Sequence, residues 1–336
     1  MLNMIKNLLK PSIYIDSHYF KLLSANQREI YALLKNGIEA LATEIKIPSR
    51  PINEVNLIFN YILLDNPIFF YTSSFEILND LYKQKAIVRP QYKYPKNFIK
   101  QNRDLARNFL QTFDSIKSKS DLEKEIYVHD YCLDNFSYDY SFEENSFSIL
   151  GAILNKKAVC EGIAKFVKFV FDYLDVESLV VSGKASNPVH EEKLESHAWN
   201  IVRIDGNTYH LDVTFDMTIK NRENRYDYFN LCDEEIKRDH LITESVPICT
   251  GKGFDYYSKN SMIVRGMGNI EKYITNNIKM GKNRILFKLV DVHNKENIVN
   301  EIMDIAQKTY IKTLNKNVSL ELEYNLNQFV FDIIFK

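Results

Sequence analysis

The chain has 336 residues, 45% hydrophobic and 26% charged, which is enough for a sizeable core and, by length, for roughly two domains. Its net charge of −1 excludes the basic footprint of a nucleic-acid binder, and no apolar run is long enough to cross a bilayer. Four cysteines with no CxxC pair among them exclude a zinc ribbon, a thioredoxin-type motif and a disulfide framework.

The N-terminus, MLNMIKNLLKPSIYID, lacks an apolar stretch followed by a small-residue cleavage site. The chain as given therefore reads as soluble and cytoplasmic, with secretion open if a leader was removed. Residues 1–118 read as a mostly helical region with a short hairpin. Ser24 and Gln27 have capping-box spacing, and Ile30, Leu33, Leu34 and Ile38 follow at helical intervals. A second helix is expected around Ile52–Leu64 after Pro48 and Pro51. Strands are expected near Phe69–Ile77 and Ala86–Tyr94, then helices from about Pro95 and from Ser120, where Glu123 completes a capping box.

Within a core assigned to residues 119–250, the stretch from about Phe136 to Asn230 changes to one helix followed by strands and tight turns. The helix opens at Cys160, and Ile163, Phe166, Val167, Val170, Phe171 and Leu174 form a one-sided apolar stripe. Cys160 shares that face but occupies the first turn, where unpaired N–H groups favour an anion and the thiolate is the nucleophile. The same N–H groups could help hold an oxyanion. Gly162 leaves room beside the sulfur for a substrate backbone. Taken alone, a cysteine on an apolar face is more often an inert core thiol than a nucleophile.

Downstream, His197–Ile204 reads as a strand, Asp205-Gly206 as a two-residue turn and Asn207–Thr214 as the return strand. That register pairs Trp199 with Asp212 and leaves His197 and Asp212 as diagonal neighbours on one face, roughly 7–8 Å apart along the backbone. A base and its orienting carboxylate need this relation, and so does a surface ion pair. His210 on the same face is a supporting group. The polar run Lys184–Ser196, with His190, Glu191, Glu192 and Glu195, reads as a solvated rim, and no EF-hand pattern appears.

Residues 251–336 read as a small α/β subdomain: strand Met262–Arg265, helix Ile270–Ile278, strand Ile285–Val290, helix Ile298–Thr309, and a hairpin of Val318–Tyr324 and Phe329–Phe335. No cluster of titratable groups falls there, so its expected role is structural or partner-binding.

Three motifs in order, Val159-Cys160-Glu161-Gly162, His197-Ala198-Trp199-Asn200 and Asp212-Val213-Thr214-Phe215-Asp216, resemble the transglutaminase-like superfamily, in its bacterial, clostridial-type form. Asn135–Asp139, Arg225–Asn230 and His240 resemble it too. The resemblance implies an α+β, papain-like core, with the cysteine helix packed on an antiparallel sheet. It also implies a triad in which Cys160 attacks an acyl carbon, His197 serves as base then acid, and Asp212 orients it, with Trp199 against the cleft. Ile163 and Phe215 depart from the tyrosine and tryptophan common in relatives. No side chain stands out as a second oxyanion donor, Asn155 being the nearest candidate.

The expected activity is acyl transfer on a peptide or protein substrate, passing to water (protease, amidase) or to an amine (transglutaminase), with no metal and no cofactor. A peptide N-glycanase is a poorer fit, because its added zinc-binding cysteine pairs are missing. The alternatives are a silent domain of the same fold that binds peptides or wall polymers, and a structural protein with a buried Cys160. Substrate and oligomeric state stay open.

Overall fold

A computed structural model describes residues 17–80, 84–186, 193–292 and 296–336. It divides into two compact units: residues up to Ser182 together with His197–Gly206, and Gly183–Ser196 together with Asn207–Lys336. The expected α+β character holds throughout. His190, Glu191, Glu192 and His293 lie outside the described residues.

The first unit begins with helices α1 (His18–Leu22), α2 (Ala25–Glu39) and α3 (Ile52–Asp65). The Ser24–Gln27 capping box is present, and Ile30, Leu34 and Ile38 are buried. Asp65 at the end of α3 ties the helices together: it accepts from the Ser17 and Tyr31 hydroxyls at 2.8 and 3.1 Å and from the Phe20 N–H at 3.1 Å. Burial, opposed by these donors and by Lys168, pushes the Asp65 carboxyl up to about 6. Strands β1 (Ile45–Pro48), β2 (Thr72–Asp80) and β3 (Lys85–Tyr92) form an antiparallel sheet with β3 central.

Helices α4 (Lys96–Phe109) and α5 (Asp121–Asn135) follow, and Ser120 accepts from the Glu123 N–H in the expected cap. Short β4 (Ser137–Tyr138) and β5 (Lys157–Ala158) then pair in parallel, Tyr138 beside Ala158, and α6 (Cys160–Tyr173) begins immediately. The predicted stripe on α6 is buried, but so are Ala164, Lys168 and Phe169. The helix is thus buried over more than the predicted face, with Glu161 and Lys165 left partly exposed. Phe166 packs among the rings of Phe109, Phe113, Tyr131 and Phe136. On another side Ala164 meets Val180 and Ala198, which lie on β6 (Ser178–Ser186) and β7 (Leu194–Ile204).

The second unit holds β8 (Asn207–Leu211), α7 (Val213–Thr218), α8 (Asp233–Ile236) and β9 (His240–Ile242). In it, Gly183–Ala185 of β6 pair antiparallel with β9. After α9 (Tyr256–Lys259) come β10 (Ile263–Arg265), α10 (Ile270–Lys279), β11 (Arg284–Val290), α11 (Ile298–Leu314), β12 (Leu320–Asn325) and β13 (Val330–Phe335). Their sheet order is β10-β11-β13-β12, and Ile274, Ile278, Phe287, Ile302 and Phe331 lie in its core. These elements match the predicted ones within a few residues, because each carries its own periodicity. No described helix is long and apolar enough to cross a membrane.

Candidate active site

Cys160 is the first residue of α6 and is partly exposed, whereas Cys132, Cys232 and Cys249 are buried. What surrounds that helix start is the chain's own loop. Asp139 organises it, accepting from the main-chain N–H groups of Ser141 and Glu143 at 3.0 Å each and from the Ser146 hydroxyl. Those donors, the Ser146 hydroxyl first, hold the Asp139 carboxyl below the usual range. The Ser146 carbonyl in turn accepts from the N–H of Val159 at 3.1 Å.

The space at Gly162 is filled by this loop. A Cβ there would lie 2.1 Å from the Ser146 oxygen, so the missing side chain admits the protein's own main chain instead of a substrate backbone. Tyr138, paired with Ala158 two residues before Cys160, turns its phenol toward Cys160 and interacts with both the thiol and the main-chain N–H. Burial first, then Cys160, pushes that phenol up. Sequence reasoning left the second oxyanion donor open. The β4–β5 pairing supplies this candidate, while Asn155, the last residue of a short π-helical segment before β5, is exposed.

His197 lies on β7 and is partly exposed; its ring stacks on Trp199, centroids 6.0 Å apart at 17°. Trp199 is 1% exposed and so supports the imidazole from beneath instead of lining an open cleft. Its neighbour Asn200 donates to the carbonyls of Ala164 and Leu179 at 2.9 and 3.3 Å, fastening β7 to α6. Cys160 and His197 are thus carried by two elements of one unit that are packed and hydrogen-bonded together.

Asp212 is placed differently from the sequence expectation. The return strand ends at Leu211, and Asp212 is the N-cap of α7, its Oδ1 accepting from the Phe215 N–H at 3.0 Å. Asp is among the strongest capping residues, and the cap outcompetes continued strand. The return strand predicted through Thr214 is thus shorter than expected, ending at Leu211, and the cap aims the carboxylate. Its other oxygen, Oδ2, lies 3.0 Å from Nε2 of His240, whose Nδ1 is 2.6 Å from Asp239. The Tyr228 hydroxyl donates to Asp239 at 2.7 Å. All four side chains are buried.

His240 is thus the residue whose role the sequence did not disclose. The Arg225–Asn230 run explains itself as scaffold: Arg225 forks onto Asp227 at 3.1 and 2.7 Å, and Tyr257 donates to Asp227 at 2.6 Å. His210 is fully buried and bonded to Asp233, and burial pulls its imidazole down to about 4.

Residues 87–213, a span that holds Cys160, His197 and Asp212, match the model of the transglutaminase-like superfamily. Among solved structures, a cysteine-protease candidate from Cytophaga hutchinsonii aligns at 13% identity, covering 42% of this chain and 62% of that one, with a TM-score of 0.28. A structure described as a TGase aligns at 16% identity, covering 55% and 54%, with a TM-score of 0.29. The alignment spans less than two thirds of either structure's length. No curated protein matches the sequence.

Proposed function

We propose that this chain, whose residues 87–213 match the model of the transglutaminase-like superfamily, performs thiol-dependent acyl transfer on peptide or protein amides. Cys160 attacks the acyl carbon, His197 takes the thiol proton and returns it to the leaving amine, and Asp212 orients the imidazole, the logic of a nucleophile, a base and an orienting group. The acyl-enzyme then passes to water or to an amine.

One observation carries this reading: the partly exposed cysteine stands at the first turn of a buried helix, where N–H groups lack intrahelical partners. An oxyanion forming on the substrate can be met by the Tyr138 phenol, whose oxygen takes the Cys160 N–H in the resting arrangement. A preorganised donor of this kind is worth roughly 10²–10³ in rate. The Phe215 N–H and His240 together hold the Asp212 carboxylate, which supports its role as an orienting group rather than a proton acceptor.

The test is the rate at which iodoacetamide alkylates each cysteine, followed by mass spectrometry from pH 5 to 9. Cys160 is expected to react far faster than the other three at pH 6 and to lose that lead in His197→Ala. Tyr138→Phe should leave the alkylation rate within a few-fold but weaken a peptide aldehyde, which forms an oxyanion-bearing adduct, by at least tenfold. A Cys160 that reacts as slowly as the buried thiols in every variant would sink the enzyme reading and turn the search to binding partners.

A further inference from the structure

His210 on β8, Asp233 at the start of α8 and Cys249 beyond β9 are brought together within the second unit. Nε2 of His210 lies 3.0 Å from Oδ1 of Asp233, and the Cys249 N–H donates to that same oxygen at 3.0 Å. One ligand atom from each of the three, the Cys249 sulfur included, falls within 4.8 Å of the other two. The main chain beneath is stapled: His210 and Leu231 exchange both backbone hydrogen bonds at 2.9 Å, and the Asp233 N–H donates to the Cys249 carbonyl at 2.8 Å. His210 and Cys249 are 0% and 1% exposed.

A carboxylate at a helix start that already receives a main-chain N–H and the Lys237 ammonium, at 2.8 Å, has no electrostatic need for an imidazole and a thiol as well. Imidazole, thiolate and carboxylate converging on one point are instead the donor set of zinc. A tetrahedral centre with bonds of about 2.0–2.1 Å to nitrogen and oxygen puts those ligand atoms roughly 3.3 Å apart. The observed 3.0 Å needs only a few tenths of an ångström of adjustment. The three residues come from separate segments, so no spacing motif announces them.

We propose that His210, Asp233 and Cys249 form a structural zinc site in this unit, one that does not include Cys160. Binding displaces the Cys249 thiol proton to solvent, and the imidazole proton that Nε2 gives to Asp233 moves to Nδ1, so that Nε2 is free to ligate. The fourth position goes to water, reached from the partly exposed side of Asp233.

The test uses the full chain carrying Cys160→Ser, reduced and stripped of metal, titrated with Co²⁺. A near-ultraviolet sulfur-to-cobalt charge-transfer band should grow to an equimolar endpoint and be displaced by Zn²⁺. Cys249→Ser and His210→Gln should each abolish the band and weaken zinc at least tenfold in competition with a chromophoric chelator. X-ray absorption of the zinc-loaded Cys160→Ser protein, which does not depend on those variants folding, should show sulfur at about 2.3 Å. A folded protein with no charge-transfer band, a shell of nitrogen and oxygen alone, or a band that survives Cys249→Ser would overturn the assignment.

Discussion

Gly162→Ala separates a packing role for the glycine from a substrate-binding one. The new Cβ would stand 2.1 Å from the Ser146 oxygen and 3.0 Å from the Ala158 Cβ, so the carbonyl must recede by roughly 1.3 Å or more to reach ordinary contact. The same carbonyl accepts from the Val159 N–H at 3.1 Å, and that bond is lost with the movement. Overpacking of this size costs about 1–3 kcal/mol and the lost hydrogen bond about 1 kcal/mol. Alanine's better helix propensity returns at most about 1 kcal/mol. The net expectation is a loss of about 1–3 kcal/mol, read as a lower guanidinium midpoint at unchanged slope. The alkylation rate of Cys160 should shift with it, because the displaced loop abuts the turn that carries the sulfur. A variant as stable as the parent, or more stable, would refute the packing argument and return the space at residue 162 to a substrate.

Two further outcomes test the framework around the site. Asp65 has a folded pKa raised to about 6 from 3.8, so its contribution to stability is fully present below pH 3.8 and is lost as pH rises through about 6. Relative to Asp65→Asn, the parent should therefore gain about 3 kcal/mol between pH 7 and pH 3.5 in denaturant titrations; a pH-independent difference would show that the carboxyl is not held as described. Lys288, 2% exposed, pairs with Glu235 at 2.7 Å and joins β11 to α8. Lys288→Met strands a shielded carboxylate and should cost about 3–5 kcal/mol, part of it recovered by adding Glu235→Gln. Equal stabilities of the single and double variants would count against this.

The features that read directly from the sequence are those whose causes are local. The capping boxes at Ser24 and Ser120, the apolar stripe of α6 and the alternation in the C-terminal subdomain are each written in a few adjacent residues. So is the Asp205-Gly206 turn, where both residues have positive φ. The start of a helix at Cys160 follows from such patterns, whereas the fold class is what the resemblance of the three motifs implies. Asp212 shows where local reading stops. Its segment has strand composition up to Thr214, yet one side-chain hydrogen bond to the Phe215 N–H ends the strand early.

What only the tertiary structure decided are meetings between residues whose separation is set by chain path. Asp212 and His240 stand 28 positions apart, and no periodicity links them. Ser146 fills the space at Gly162, and Tyr138 reaches Cys160, because Asp139 folds its loop back and β4 lies beside β5. Composition and spacing determine which residues can be helix, strand, cap or nucleophile, since those depend on neighbours along the chain. Which side chain supports the nucleophile, and which carboxylate is already engaged, depends on packing of distant segments, and that information exists only once the chain has closed on itself.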